Sequence, residues 1–221
     1  MSSFQWDWSY AWSAVPLLLE GIKITILATF FGSIIAFVLG LVWTLIRIAA
    51  IPVVSPVVNL FVQFLRGTPF LVQLFFLFYV LPTWGITFSA LVTGIVGLGL
   101  FNSAQTSEIY RAGIEDIPAG QWEASLVLGL PVRRVWLGIV LPQSIYSVLP
   151  VLGNVVIGMF KETSVLSTIT VFELTAQGMD VGFQYFRFIE PLTLVGLMYF
   201  IVSYVAAIGT RHLEARNAKQ H

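Results

Sequence analysis

Lys161-Glu162-Thr163-Ser164 sets an ammonium, a carboxylate and two hydroxyls in succession at the end of an apolar run. A zwitterion stripped of water needs an opposite charge for each of its ends, and this quartet carries both. At an outer interface the same residues would do no more than neutralise one another. A second group, Arg66-Gly67-Thr68-Pro69, interrupts another apolar run with a guanidinium, a hydroxyl and a proline. Pro69 has no N–H and crowds the carbonyl four residues back, near Leu65, so a helix is expected to bend or break there. Arg66 is costly to leave unpaired in hydrocarbon, and Glu108 offers a partner from the next span; the pair reads either as a neutralised kink or as solute contact. Asn102 and Gln105 add amides on the same stretch as Glu108. All of this is chemistry of binding. Ser and Thr lack a base in a recognisable arrangement, and no glycine-rich loop precedes a Lys-Ser/Thr pair, which argues against a hydrolase and an internal phosphate-binding loop. His212 and His221 stand apart from any carboxylate or thiol cluster, so neither a metal site nor a cofactor is expected.

The elements that hold these groups are membrane helices. Of 221 residues, 57% are hydrophobic and 10% charged, with a mean hydropathy of +0.89, whereas about a quarter of an average soluble protein is charged. A crossing takes roughly 20 mostly apolar residues, and such runs use up nearly the whole chain, leaving no room for a soluble nucleotide-binding domain. The zero net charge gives no basis for nucleic-acid attraction, and the absence of cysteine excludes disulfides and thiolate sites. The first span is Ile22 to Ile46, with Gly32, Ser33, Ala36 and Gly40 forming a small-residue face. A corner at Pro52-Val53-Val54-Ser55-Pro56 leads into a second run that extends to Leu81 and is broken near its middle. The third, Ile86 to Ile109, carries Asn102, Ser103, Gln105, Thr106, Ser107 and Glu108 in a half too polar to face lipid. Ser144 to Phe160 resumes the apolar pattern, Val165 to Thr175 forms a half-helix or re-entrant segment, and a last span runs from Glu190-Pro191 to near Thr210. The fold expected is all-α, a single domain of residues 1–221 with about five crossings.

Basic residues fall in alternate loops: Arg47, then Arg111, Arg133 and Arg134, then Arg211, Arg216 and Lys219. Those loops are expected to be cytoplasmic, with the C-terminus inside and the N-terminus outside. The N-terminal stretch with Phe4, Trp6 and Trp8 has no Lys or Arg, so it lacks the start of a cleaved signal peptide, and Trp6, Trp8, Tyr10 and Trp12 read as an interfacial aromatic belt. The Met179 to Phe188 loop offers only Arg187 against Asp180. Between Trp122 and Pro142 the greasy pattern breaks into a short helix. Pro118 opens it, Glu123 is expected in its first turns, and Gly129 with Pro131 closes it. Ala124, Ser125 and Gly129 are small enough for a partner to approach the backbone, though a plain interfacial helix would look similar.

Glu123-Ala124-Ser125, three residues, Gly129, then Ile139-Val140-Leu141-Pro142 resembles the EAA loop of permease subunits of ATP-binding cassette importers, with Ser125 where the family usually has a second alanine. Phe64-Leu65-Arg66-Gly67-Thr68-Pro69-Phe70-Leu71-Val72-Gln73-Leu74 and Phe160-Lys161-Glu162-Thr163-Ser164-Val165 resemble signatures of the polar amino-acid branch, the histidine/glutamate/glutamine type. Glu108-Ile109-Tyr110-Arg111 continues the likeness, which covers about Pro16 to Glu214. Ser107, Ala112 and Val165 depart from the usual Ala, Gly and Leu. The resemblance implies a multi-pass permease of the bacterial inner membrane that imports a polar amino acid or related zwitterion by alternating access, the solute being acidic, basic or neutral, or a compatible solute such as ectoine. It implies cytoplasmic ATPase subunits that grip Glu123, Ala124, Ser125 and Gly129 within a coupling segment of about residues 118–136. It further implies a second permease subunit, identical or similar, and an extracytoplasmic solute-binding protein. Lys161, Glu162, Thr163, Ser164, Arg66, Thr68, Asn102 and Gln105 are its candidate solute residues. On this reading the chain catalyses no bond chemistry. An ion-coupled secondary transporter or channel is the alternative, disfavoured by the missing inverted repeat; a structural membrane anchor leaves the polar half of the third span unexplained.

Overall fold

The structure is a computed structural model and describes residues 5–217; Phe4, Lys219 and His221 lie outside the described residues. Helix α1 (Trp8–Ile48) opens at Asp7, whose carboxylate accepts the backbone N–H groups of Ser9 (2.9 Å) and Tyr10 (3.2 Å). It therefore begins well before the expected Ile22. Its 41 residues amount to about 60 Å at 1.5 Å per residue, roughly twice the thickness of a hydrocarbon core. Gly32, Ser33, Ala36 and Gly40 are all buried, against α4 (Ala90–Glu115). A Cβ at Gly40 would meet Thr106 at 2.8 Å, and one at Gly99 would meet Ile35 at 2.5 Å, so the two backbones approach as closely as the small-residue face implies.

The second apolar run is not one span with a kink. Helix α2 (Val54–Gly67) stops at the break, α3 (Phe70–Phe75) restarts beyond it and continues through wider and tighter helical turns to Trp84, and the two arms differ by 108°. Thr68 is extended (ψ 142°) because a residue before proline avoids the helical region, and Pro69 is extended (ψ 141°) as the cap from which α3 restarts. The outward face of α2 exposes Val57, Leu60, Phe61 and Phe64, and its inward face buries Val62 and Leu65 near Trp43 and Ala104.

Helix α4 starts at the Ser89 cap and runs to Glu115, beyond the expected Ile109. Asn102, Ser103, Thr106 and Ser107 are buried in its second half, as their polarity requires. The short α5 (Ala119–Val127) and α6 (Val132–Val135) follow. A wide turn joins α6 to α7 (Leu141–Glu162), and tight turns extend that run to Ile169. Where a loop was expected across Met179, α8 (Leu174–Tyr185) forms and packs between α1 and α9 (Ile189–Asn217). Among the described residues three helical runs, Trp8–Ile48, Val132–Ile169 and Ile189–His212, are long and apolar enough to cross a membrane, and the bent α2–α3 pair makes a fourth. The 26 residues of α4 are long enough as well, but its polar half hides against α1 and α7. The main core gathers Ala28 and Ala36 of α1, Phe70 and Leu74 of α3, Leu98 of α4, and Val155 and Met159 of α7.

At the end near the start of α1, the aromatic-belt reading needs correction. Trp8 and Trp12 are exposed, but Tyr10 is buried and its hydroxyl lies 3.0 Å from the carbonyls of both Val181 and Arg187. Arg187 pairs with Glu190 and with Asp7 (3.7 Å) rather than with Asp180, and its guanidinium lies over the Tyr10 ring. A charged residue there is drawn to the buried Glu190, not to a solvated acid on a helix surface.

Candidate functional site

Helix α7 ends where α4 is near its midpoint, and Glu162 meets Asn102 there. The Asn102 amide donates to the Glu162 carboxylate at 2.8 Å and to the Leu98 carbonyl at 3.1 Å. Asn102 is buried and Glu162 half-buried, while Lys161 is exposed and forms no ion pair among the described residues. The alternative in which Lys161 and its neighbour neutralise one another does not occur, because consecutive helical residues point to different sides. Thr163 turns the other way, fully buried, donating to the Phe160 carbonyl (2.7 Å) beside the Tyr199 hydroxyl (3.4 Å). Ser164 donates to the Lys161 carbonyl (2.9 Å). The quartet thus divides: Lys161 and Glu162 keep binding capacity, and the two hydroxyls are committed to backbone. Gln105, one turn along α4 from Asn102, is exposed.

Closer to the end of α4, Glu108 accepts from three arginines. Arg47 (3.0 Å) and Arg66 (3.3 Å) reach one oxygen and Arg111 (2.9 Å) the other. Arg111 also pairs with Glu115 at 2.7 Å. The Arg66–Glu108 partnership agrees with the expectation from the broken span; the share of Arg47 and Arg111 was not anticipated. Arg111 could have been found from its i+3 spacing, whereas Arg47 arrives only because α1 and α4 pack along their lengths. Thr68 serves the break. Its hydroxyl donates to the Phe64 carbonyl (2.9 Å) and accepts from Gln73 (2.7 Å), whose amide also donates to the Leu65 carbonyl (2.8 Å). Gln73 therefore satisfies a carbonyl that Pro69 leaves without an N–H.

Sequence reasoning missed Glu173 altogether. Fully buried at the start of α8, its carboxylate accepts the N–H groups of Thr175 (2.9 Å) and Ala176 (2.8 Å) and the Tyr199 hydroxyl (2.8 Å). The signal available was an acid at a helix start, but the helix itself had gone unread.

The short α5 stands at the same end as the Glu108 cluster. Trp122 and Leu130 pack with Ile48, Ile114 and Val135 beneath it. Its last turn closes with the Leu130 N–H on the Ser125 carbonyl (3.1 Å) and the Gly129 N–H on that of Leu126 (3.0 Å), with Gly129 left-handed at φ 62°. That closure requires glycine's freedom. Glu123, in the second turn, and Ala124 are exposed, but Ser125 is buried with its hydroxyl on the Gln121 carbonyl (2.7 Å). Leu126, Val127 and Leu128 stand out into solvent beside Glu123. Such an apolar knob next to charge is the kind of surface that contacts a protein or a membrane.

Residues 47–219 match the family of binding-protein-dependent transport system inner membrane components. The chain belongs to this family. It is 38% identical to the probable amino-acid ABC transporter permease y4tG of Sinorhizobium fredii, over 98% of this chain and 96% of that one. It is 33% identical to the glutamine transport system permease GlnP of Escherichia coli, over 96% and 98%. Among solved structures, an amino acid ABC transporter crystallised with histidines superposes with a TM-score of 0.90 at 30% identity, covering 96% of this chain and 100% of that one. The methionine transporter MetNI, at 20% identity and a TM-score of 0.75, shares the fold. This permease is thus a multi-pass inner-membrane subunit of an ATP-driven importer, and the secondary-transporter or channel alternative is set aside. It is a transport component rather than an enzyme, with ATP hydrolysis on separate subunits. The family implies ATPase, solute-binding-protein and second-permease partners.

Proposed function

We propose that the permease imports a polar amino acid or a related zwitterion along the face where Asn102, Gln105, Lys161 and Glu162 meet. The observation that carries this is the half-satisfied Glu162: one amide donor, an unpaired ammonium next to it, and a position halfway along α4. A bound zwitterion would give Glu162 its second partner and Lys161 its first. Thr163, Ser164, Arg66 and Thr68 hold the walls of this path through their backbone and carboxylate contacts. The end bearing Arg47, Arg66, Arg111, Arg133 and Arg134 faces the cytoplasm and the Asp7 end faces outward, which agrees with the rule that positive charge stays inside. There Glu123, Ala124 and the Leu126–Leu128 knob dock on the ATPase, Gly129 sets the angle of presentation, and Ser125 stiffens α5 from within. Closure of the ATPase pair then rocks the helices and exposes the Glu162 face to alternate sides, a second permease, identical or similar, completing the path.

The deciding experiment is uptake by the reconstituted complex, with ATP hydrolysis followed in parallel. Glu162→Gln and Lys161→Met are each expected to lower uptake and solute-stimulated hydrolysis while basal hydrolysis and assembly persist. Parental uptake in both variants, or solute bound elsewhere in a structure of the complex, would remove the site.

A further inference from the structure

A cleft of about 640 Å³ opens beside the Glu108 cluster, between the end of α1, the connection to α2 and the end of α4. Arg47 and Arg111 line its floor with Glu115; Asn59 and Ser55 of α2 form one wall, and Ile51, Pro52 and Pro56 form an apolar lip. We propose that this cleft is a binding site for the headgroup of an anionic phospholipid, with the acyl chains lying along the outward face of α2.

Charge complementarity argues for an anion. Three arginines, Arg47, Arg66 and Arg111, meet two carboxylates, Glu108 and Glu115, leaving a single positive charge to match one phosphodiester. Donor capacity remains as well. Arg47 spends Nη1 on Ser107 and Nη2 on Glu108, and among the described residues its Nε–H has no partner and the Asn59 amide makes no hydrogen bond. The last carbonyls of α1 would repel an anion, but the Ser55 hydroxyl covers that of Ile46 (2.6 Å) and α2 starts here with the opposite end of its dipole.

The surroundings select a lipid over a free phosphate ester. From the lip the surface continues through Val53, Val57 and Leu60, at 76%, 59% and 71% exposure, and such a strip on a membrane protein needs hydrocarbon against it. The site lies where α1 and α4 end, and basic pockets between helices at headgroup level suit anionic lipid. The connection is also strained. Ala50 (φ 49°) and the β-branched Val53 (φ 70°, ψ −47°) both carry positive φ, the Val54 N–H closing a tight turn on the Pro52 carbonyl (2.9 Å), and this geometry turns the chain around the cleft. The choice of leaflet rests on the proposed orientation; the headgroup contact does not.

The test compares lipids retained by the purified permease–ATPase complex in native mass spectrometry after exchange into phosphatidylglycerol or phosphatidylcholine with the same acyl chains. Phosphatidylglycerol should be retained about fivefold better, the expected scale of one charge near a membrane surface. Asn59→Glu should remove that preference and Asn59→Lys increase it; both change an exposed side chain, and their opposite signs separate the site from damage to the fold. Equal retention of the two lipids, or both variants behaving like the parent, overturns the proposal. Displacement by glycerol 3-phosphate at the same concentration as lipid also overturns it, since the cleft would then be a site for soluble phosphate esters. Failure of uptake in the Lys161 and Glu162 variants bears on the solute path alone and leaves this outcome unaffected.

Discussion

Glu162 and Glu173 stand on either side of the same tight turns, and their surroundings differ sharply. Glu173 is fully buried and receives two backbone N–H groups and a phenol; Glu162 is half-buried and receives one amide. A buried carboxylate whose lone pairs are filled has no capacity left for a ligand, so its contribution is to the fold: Glu173 ties the start of α8 to α9. An acid with one donor beside an unpaired Lys161 retains that capacity. The number of partners, not the residue type or the depth, separates a structural acid from a binding one.

The comparison breaks most visibly at Glu173. Replacing it by alanine leaves the N–H groups of Thr175 and Ala176 uncapped and the Tyr199 hydroxyl with only the Thr163 and Thr175 hydroxyls, a loss of ~3 kcal/mol from a lost cap and unsatisfied donors. The expected outcome is a lower melting temperature and poor recovery of the complex, with Glu173→Gln milder. Intact melting behaviour with abolished uptake would exchange the roles of the two acids.

Next in size is Glu162→Gln. Removing one charged interaction of ~1.5 kcal/mol should reduce uptake about tenfold, with the melting temperature unchanged. A thermal shift as large as that of Glu173→Ala would show Glu162 to be structural too.

The coupling helix sharpens the contrast, being functional without any buried acid. Gly129→Ala imposes about 1 kcal/mol of left-handed strain although nothing lies within 4 Å of the added carbon, and Glu123→Lys alters only an exposed charge. Both are expected to weaken co-purification with the ATPase and to lower uptake several-fold while the permease stays inserted. Normal coupling in both would refer α5 back to a plain interfacial helix.

The smallest effect concerns Asp7, an exposed acid acting as a cap. The Tyr10 backbone N–H and the Ser9 hydroxyl hold its carboxyl below the ordinary aspartate range. A depressed native value means that its stabilisation is present above the unfolded value, near pH 4, and is lost as pH falls through the native one. Melting followed from pH 6 to 3 should lose stability in the parent over that window and less so in Asp7→Ala; parallel curves would remove the cap from the account.

Legibility along the chain followed the range of the interaction. The break at Pro69 and the closure at Gly129 could be read because each depends on a few adjacent residues. The Arg66–Glu108 pair was readable because a charge in an apolar run demands a partner and the next run offered a single acid. Tyr10 was misassigned because an aromatic near a membrane helix end looks the same whether it faces lipid or, as here, caps carbonyls of a distant turn. Helix α8 went unread because Glu173 and its Thr25 and Tyr199 neighbours come from three separate segments.

Composition, hydropathy and the glycine, proline and Glu-Ala-Ser punctuation sufficed for an all-α membrane chain, its broken second run and its importer-permease family. These are local or summed properties, and the membrane amplifies them by forcing apolar runs into helices. Tertiary packing alone decided that Arg47 joins Arg66 and Arg111 on Glu108, that Glu162 faces Asn102 while Thr163 turns inward, and that Ser125 is hidden. Those outcomes depend on how α1, α4, α5 and α7 rotate about their own axes, and a rotation of one residue, about 100°, exchanges an exposed side chain for a buried one.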